Sequence, residues 1–510
     1  MKEITIVVNL SLRSIRLIIF DRNGIKVYED WLPVRTYIKG LVVEQNPEEW
    51  WSLLVELLRS FRKQYPAAQA TAITVTSSAL CLIPIGKKGE VLLNALMVSD
   101  KRAVEEASQL AEVGQTMSKN NLRFNASFML PKILWIRKNN PKVFAKVKYF
   151  LSANDFLLFR LGGKLVTDTF NAQKFYYDGE KRSYPKQLLA VVGIKKSQLP
   201  KVLDPGVMIG GVSKVLTREF GFLSKAVVVL GTYDAICALI GSSTYEEGEL
   251  SNVCGTCSSY RIITGDSRIS APRLLEQNFL SEKLRIIGGS NNLEGGVLEW
   301  AKECYYSDSP RDDHVLYGRM EKEAQESSLG ANGLLFLPYL IGERMPINDA
   351  YVRGLFFGME RFHTRKDIIR SIFEANAFQS KLMLEEFEKS DIKISSVNMS
   401  GGVAKLKLAA KIRADVLGIP VHVLKEVETT ALGAFIFAQK AMGKFKSVRD
   451  GRKLVHLDET FLPNMHNHNC YASLLMLYKE IYTVNSEMFK KRHQVFEEVM
   501  HYQSRILENL

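Results

Sequence analysis

Residues 225–242 read KAVVVLGTYDAICALIGS. The β-branched run 226–230 reaches a turn of small residues at Gly231, then passes into an apolar stretch long enough for a short helix. This is one strand–turn–helix step of an α/β protein, and it carries Asp234 in the middle of otherwise apolar surroundings. A carboxylate placed there is costly to bury without a task. It reads either as a cap on the helix that follows or as a general base that takes a proton from a substrate hydroxyl.

Working outward, the chain opens with the apolar runs EITIVVN (3–9) and IRLIIF (15–20), with a turn over Asn9–Ser14 between them. The turn Asp21–Gly24 then leads into a third run, IKVYEDW, and Asn-Gly between apolar runs signals a hairpin. PEEWWSLLVELLRSFRK (47–63) has amphipathic spacing with Pro47 in its first turn. AITVTSS follows as a buried strand, and helices are predicted over 102–113, 131–140, 142–148 and 185–192. A second cycle is predicted from about residue 225, with strands LSNVCG and SYRIITG around a Gly255–Cys257 turn. Helix 365–389, strand SVNMSGG, helix 405–417, strand PVHVL and helix ALGAFIFAQKAMG come next. Two halves that each open with a hairpin and continue α/β suggest an internal duplication, with the boundary near the polar stretch 245–250.

Composition agrees with two domains. The chain has 510 residues, 46% of them hydrophobic and 24% charged, which excludes a disordered or fibrous protein. Its net charge of +13 invites an anionic partner, but Lys and Arg are spread along the chain and concentrate in no motif. A nucleic-acid partner is therefore not expected. Asp234 interrupts the best apolar stretch, so no membrane span is expected, and the charged N-terminus does not read as a signal peptide. Six scattered cysteines make no disulfide framework, and Cys254-Gly-Thr-Cys257 has no second pair for zinc. A reduced, cytoplasmic protein is the expectation.

No G-x-x-x-x-G-K-[ST] or G-x-G-x-x-G occurs at a strand end, which leaves a P-loop or dinucleotide fold unsupported. Three small-residue turns remain. Gly255-Thr256-Cys257 lies in a hairpin bend where backbone N–H groups can converge on an oxyanion. Gly401-Gly402 stands between a strand and a helix N-terminus. Gly295-Gly296 precedes a helix carrying Trp300.

Together with GTYDAICALIGSS, the stretches PYLIGERMPINDAYVRGLFFG, SGGVAKLKLAAKIRADVLGIPV and ETTALGAFIFA resemble the FGGY family of carbohydrate kinases over about residues 4–445. DKRAVEE, PKILWIRKNNPKVFAKVKYFLSANDFLLFRLGG and GGSNNLEGGVLEW support the resemblance. It implies an α/β fold of two ribonuclease-H-like domains, of the actin/hexokinase superfamily, with a cleft between them. The implied domains are 1–246 (sugar side and catalytic base) and 247–445 (nucleotide side), with a helical tail over 446–510. It also implies phosphorylation of a sugar hydroxyl by ATP with Mg²⁺. Asp234 matches the base. Ser78, Ala79, Asp100 and Arg102 fall on the sugar side, Asp100 and Arg102 as a D-x-R. Ser11, Arg13, Gly255, Thr256, Gly295, Gly401 and Gly402 match nucleotide-side positions, and Asn9 the metal-side position. The resemblance leaves a homodimer open.

Several positions depart from the family pattern. Its opening loop, roughly D-x-G-T-T-S, is Asn9, Leu10, Ser11, Leu12, Arg13 and Ser14 here. Asn9 offers a carbonyl but no charge to a metal, and Leu12 offers no hydroxyl. The segment resembling G-Q-M-H-G of xylulokinases is Ser77–Cys81, and Val98 replaces the usual Trp before D-x-R. Leu406, Ala409 and Lys411 stand where Ser, Trp and Gln are typical. Over 126–185 the spacing resembles that of xylulokinases, which implies a pentulose such as xylulose, whereas SSALCL and the Asn and Gly pairs of 291–296 resemble gluconate kinases. The competing reading is a kinase fold retained as a ligand sensor or interaction module, motivated by Asn9 and Leu12 and opposed by Asp234.

Overall fold

The structure, a computed structural model, describes residues 3–115, 124–266, 268–307, 313–426 and 428–508. It divides into two compact units. The first comprises Met1–Ser243, Gln277–Arg285 and Glu428–Leu454, and the second Thr244–Glu276, Ile286–Val427 and Val455–Leu510.

The first unit is built on six strands: β1 (Ile4–Leu10), β2 (Ser14–Asp21), β3 (Lys26–Pro33), β4 (Ala70–Ser77), β5 (Val207–Gly211) and β6 (Val227–Leu230). Their order is β5-β6-β4-β1-β2-β3. β1–β2–β3 is an antiparallel meander, β4 and β6 add in parallel, and β5 closes the edge antiparallel to β6. β1 is buried at every residue, the pattern of a central strand covered on both faces. The turn after β2 forms because Asp21 Oδ1 accepts from the N–H groups of Asn23 and Ile25, each at 2.9 Å, and Gly24 takes φ +82°.

Helix Pro47–Gln64 starts at Asn46, whose side chain accepts from Glu48 N–H. It carries Glu48 and Glu49 in its first turn and Arg62 and Lys63 in its last. It buries Trp50, Leu54, Leu57, Leu58 and Phe61 along one face. Trp50 Nε1 donates to Gln45 Oε1 at 3.0 Å, and Gln45 Nε2 donates to Leu12 O at 2.8 Å. The helix is thus tied to the opening turn.

The second sheet repeats the plan with β7 (Glu249–Cys254), β8 (Ser258–Thr264), β9 (Leu275–Phe279), β10 (Leu284–Ser290), β11 (Ser396–Ser400), β12 (Val421–Leu424) and β13 (Leu457–Phe461). The order is β9-β10-β8-β7-β11-β12-β13. β7–β8 is antiparallel, β11 and β12 add in parallel, and β13 pairs antiparallel with β12. The run β10-β8-β7-β11-β12-β13 matches β3-β2-β1-β4-β6-β5 strand for strand, which is the duplication expressed as topology. Its core gathers Phe373, Phe378, Met383 and Phe387 of helix Arg365–Glu388 with Tyr471, Leu475 and Tyr478 of the long helix Met465–Glu508.

Three expectations need correction. The strand at 227–230 belongs to the first sheet, so the second cycle begins at β7 rather than near 225. Residues 142–148 hold only a four-residue helix, Pro141–Phe144, because the chain must return to strand Tyr149–Leu151. Helix 405–417 begins at Lys407 after a 3-10 turn over Gly402–Lys405, since Leu406 is extended (φ −91°, ψ 103°). The compact units do not follow chain order throughout. Helix Thr429–Ala441 belongs to the first unit, and β13, in the supposed tail, belongs to the second sheet. The reason for the helix's placement is glycine packing against helix Asp234–Gly241. A Cβ on Gly433 would lie 1.7 Å from Cys237 O, and one on Gly241 would lie 1.9 Å from Thr429 O. Only hydrogen fits at either contact.

Candidate active site

In the first unit, the end of β6 is set by Gly231, where a Cβ would stand 2.1 Å from Val75 O of β4. The turn that follows is held by a buried polar network. Asn154 Nδ2 donates to Val75 O (3.0 Å) and to Thr232 O (3.1 Å), which staples the turn to β4. Ser77 Oγ donates to Asn154 Oδ1. Thr232 Oγ1 donates to Asp168 Oδ1 at 2.7 Å, and Asn171 Nδ2 donates to Asp168 Oδ2 at 2.6 Å. Burial raises Asp168 above the usual carboxylate range, and these hydrogen bonds oppose that shift.

Asp234 is the first residue of helix Asp234–Gly241 and is half-buried. Its Oδ1 accepts from Ala235 N–H at 2.7 Å, and Ser78 Oγ donates to its Oδ2 at 3.5 Å. The cap reading does not hold, since the N-cap position is Tyr233 and makes no side-chain cap hydrogen bond; the helix start favours the Asp234 carboxylate, and Oδ2 faces the Ser78 hydroxyl. Ala79 and Leu80 follow Ser78, half-buried, and Leu80 is held at φ +63°.

Asp100 and Arg102 bind mainly one another. Arg102 donates from Nε (2.9 Å) and Nη2 (2.6 Å) to the Asp100 carboxylate and from Nη2 to Glu44 Oε1 (2.7 Å). Its guanidinium lies 4.8 Å from the centre of the Trp135 ring. Asp100 Oδ2 also accepts from Val43 N–H at 2.8 Å. The D-x-R is thus a clamp joining two segments of the unit.

The opening loop is shaped by its own serines. Ser11 Oγ donates to Ser14 O (3.0 Å) and accepts from Ser14 N–H (3.1 Å), and Leu12 and Arg13 are exposed. Asn9 lies within β1, not in the turn, and is 6% exposed.

The second unit brings its three glycine turns together. Gly255 and Thr256 are exposed at the β7–β8 bend, with nothing closer than 3.7 Å to a Cβ on Gly255. Their carbonyls accept from the helix start beside them: Gly255 O from Gly295 N–H (3.0 Å), and Thr256 O from Glu294 N–H (2.8 Å) and Gly296 N–H (3.1 Å). Gly295 has room for no side chain, since its Cβ would be 2.5 Å from Gly255 O. It shapes the bend, with its N–H already directed at Gly255. Gly401, at φ +91°, backs onto Cys254, where a Cβ would be 2.5 Å from Cys254 O. Gly402 is exposed, with nothing within 4 Å of a Cβ. Leu406 and Ala409 are buried in the core, and Lys411 is exposed.

Beneath these turns lies a fully buried ion pair. Arg413 Nη2 pairs with Glu294, Nε donates to Ser380 Oγ (2.9 Å), and Nη1 lies 3.5 Å from Cys254 Sγ. Burial pulls the guanidinium down, but Glu294 more than offsets it, and Arg413 is held above its ordinary range.

Sequence reasoning missed Lys132, Glu44, Trp135, Asn154, Glu294 and Arg413. For Lys132 a signal was available: it is a charge inside an apolar helical run (PKILWI), the same pattern that singled out Asp234, whereas Arg413 stands between Lys411 and Asp415 and no such pattern marks it.

Exposed glycine backbone at Gly255 and Gly402 fits a phosphate cradle. A metal is served less well. Asn9 is a neutral donor, and no group of three or more His, Cys, Asp or Glu able to hold an ion occurs among the described residues. These residues do not by themselves make a Mg²⁺ site. No helix among the described residues is long and apolar enough to cross a membrane.

A duplicated α/β chain with a carboxylate at a strand-to-helix turn in one unit and a glycine cradle in the other has the parts of a phosphotransferase acting on a hydroxyl. The profile of the FGGY carbohydrate-kinase N-terminal domain matches residues 4–241 and that of the C-terminal domain residues 250–442. The chain belongs to the FGGY family of carbohydrate kinases. It is 25% identical to the xylulose kinase of Bacillus subtilis over 492 residues, 94% of this chain and 97% of that protein. It is 24% identical to the gluconokinase of the same organism over 450 residues, 86% of this chain and 88% of that protein. The ligand-bound xylulose kinase structure from Lactobacillus acidophilus superposes with TM-score 0.87 at 24% identity, covering 96% of this chain and 99% of that one.

Proposed function

We propose that this protein transfers the γ-phosphoryl group of ATP to a hydroxyl of a pentulose such as xylulose, with a sugar acid such as gluconate as the second candidate. The observation that carries the reading is Asp234, half-buried at a helix start with Ser78 Oγ 3.5 Å from its Oδ2. Asp234 takes the hydroxyl proton as the acceptor oxygen attacks the γ-phosphorus, and the bond from that phosphorus to the bridging oxygen of ADP breaks. Thr256, Gly401 and Gly402 hold the phosphates through backbone N–H groups, Gly255 shapes the bend with its own N–H given to Cys257 O (2.9 Å), and Ser11 and Arg13 border the opening loop. Mg²⁺ accompanies ATP in this reading, but Asn9 supplies it no charge. The cytoplasmic setting and the homodimer belong to the proposal as well.

The alternative, a kinase fold kept as a ligand sensor, rests on Asn9 and Leu12. The test is ATP turnover with Mg²⁺ over pentuloses, hexonates and polyols. Turnover on a member of the panel, reduced by about 10²–10⁴-fold in Asp234→Asn, is the expected result. Turnover unchanged in Asp234→Asn removes the base assignment. No turnover on any acceptor, even in Asn9→Asp, hands the protein to the sensor reading.

A further inference from the structure

We propose that Lys132 is a positioning residue for the acceptor pocket, one that locks the Ser78–Cys81 segment to the Leu96–Met97 segment through three backbone carbonyls. This rests on the kinase reading of the same site. Lys132 lies on helix Met129–Asn139 and is fully buried. Its Nζ donates to Leu80 O (2.7 Å), Met97 O (2.7 Å) and Leu96 O (3.2 Å). An ammonium has three protons and no acceptor, so these three oxygens use it completely.

Two of the three carbonyls it chooses are already engaged. Leu96 O accepts from Leu82 N–H, and Met97 O accepts from Asp100 N–H, each at 3.0 Å. Lys132 therefore takes the second lone pair in each case and cross-links a bridge that exists without it. Leu80 is the part that needs holding. It sits at φ +63°, a region that L side chains enter only at a cost, and its carbonyl is fixed by Lys132. Ser78, two residues before it, is the hydroxyl that reaches Asp234. Met97 leads directly to Asp100 and Arg102. One buried cation thus joins the strained turn beside the base to the start of the D-x-R clamp.

The charged and titratable groups around it are Cys81, Asp100, Lys101 and Arg102. Burial pushes Lys132 down to about 7 and the Cys81 thiol up to about 11. The site is dry, and three carbonyls are what keep a proton-rich nitrogen there.

The experiment compares wild type, Lys132→Met, Lys132→Arg and the double variant Lys132→Met/Leu80→Gly. Initial rates are measured with ATP and with xylulose or gluconate, alongside hydrogen exchange of the whole chain. In Lys132→Met the KM for the sugar should rise at least about tenfold with the KM for ATP within about twofold, because a misplaced wall misorients only the acceptor. Amides of 78–82 and 96–98 should exchange faster while β1 and β4 keep their protection. Glycine at position 80 removes the cost of φ +63° and should recover part of the lost sugar affinity, which a merely structural lysine would not show. If the Met variant does not fold, Lys132→Arg decides: its donors are spread over three nitrogens in a plane and cannot converge as one Nζ does on the same three carbonyls, so the sugar KM should still rise. An unchanged sugar KM, an equal rise for ATP, or no recovery with Leu80→Gly overturns the proposal. Should wild type turn over no sugar, the kinase reading fails on its own, and the exchange of 78–82 and 96–98 alone decides whether Lys132 holds the two segments together.

Discussion

Arg413→Met tests the support beneath the glycine turns. The substitution keeps volume and apolar character on helix Lys407–Leu417 but leaves Glu294, 0% exposed, without its partner. Removing one member of a buried pair costs about 3–5 kcal/mol, since the remaining charge stays desolvated. For a unit of this size that corresponds to a fall in Tm of roughly 6–20 °C. Glu294→Leu alone should cost a similar amount, because Arg413 would then face only Ser380, Cys254 and Met399. The double variant should cost far less than the sum, as replacing both charges by apolar groups is often neutral. A coupling energy of about 2–4 kcal/mol is therefore expected from the cycle. Urea unfolding followed by fluorescence measures it. Trp300 is the tryptophan of the second unit and stacks on Phe336 with centroids 6.0 Å apart, so Trp300→Phe in parallel isolates that unit's signal. Single variants that each cost under about 1 kcal/mol, or a cycle additive within about 0.5 kcal/mol, would refute the reasoning. Since Glu294 N–H and Gly295 N–H hold the carbonyls of Thr256 and Gly255, the single variants should also weaken nucleotide binding more than sugar binding.

Two further outcomes follow from burial and close packing. Burial raises the Asp155 carboxyl to about 7, against about 3.9 in an unfolded chain, so the folded state holds the proton more tightly across that window. Wild-type stability should accordingly fall as pH rises from about 4 to about 7, by an amount on the order of a few kcal/mol, and Asp155→Asn should flatten that slope. Urea midpoints at pH 5 and pH 8 measure it, and parallel profiles for the two proteins would count against the assignment. Gly433→Ala puts a methyl 1.7 Å from Cys237 O, which forces helices Asp234–Gly241 and Thr429–Ala441 apart. A loss of roughly 1–3 kcal/mol is expected, while Gly221→Ala, with nothing within 4 Å, serves as the control. Equal melting temperatures for the two variants would show that the contact yields without strain.

Local elements were legible because each rests on near neighbours in the chain. The Asn-Gly turn, the amphipathic 47–63 helix and the strand–turn–helix around Asp234 follow from spacing and turn chemistry, and all three stand in the structure. The three glycine turns were legible one by one. That Gly255, Gly295 and Gly401 adjoin, with Gly295 spent on shaping the Gly255 bend, was not. Periodicity tells which face of an element is buried and never what it is buried against. Lys132 meets carbonyls 35 to 52 positions away, and Glu294 meets Arg413 across 119 positions. No local pattern encodes such pairings. Helix Thr429–Ala441 shows the same limit, since its sequence places it after β12 of the second sheet, yet its Gly433 fits only against Cys237 in the first unit. The sequence by itself determined the opening hairpin of each half, most of the helices and the family, and it singled out the carboxylate at Asp234. The tertiary structure alone decided which charges share a desolvated space and which glycines touch, because both depend on contacts between segments that the chain order keeps far apart.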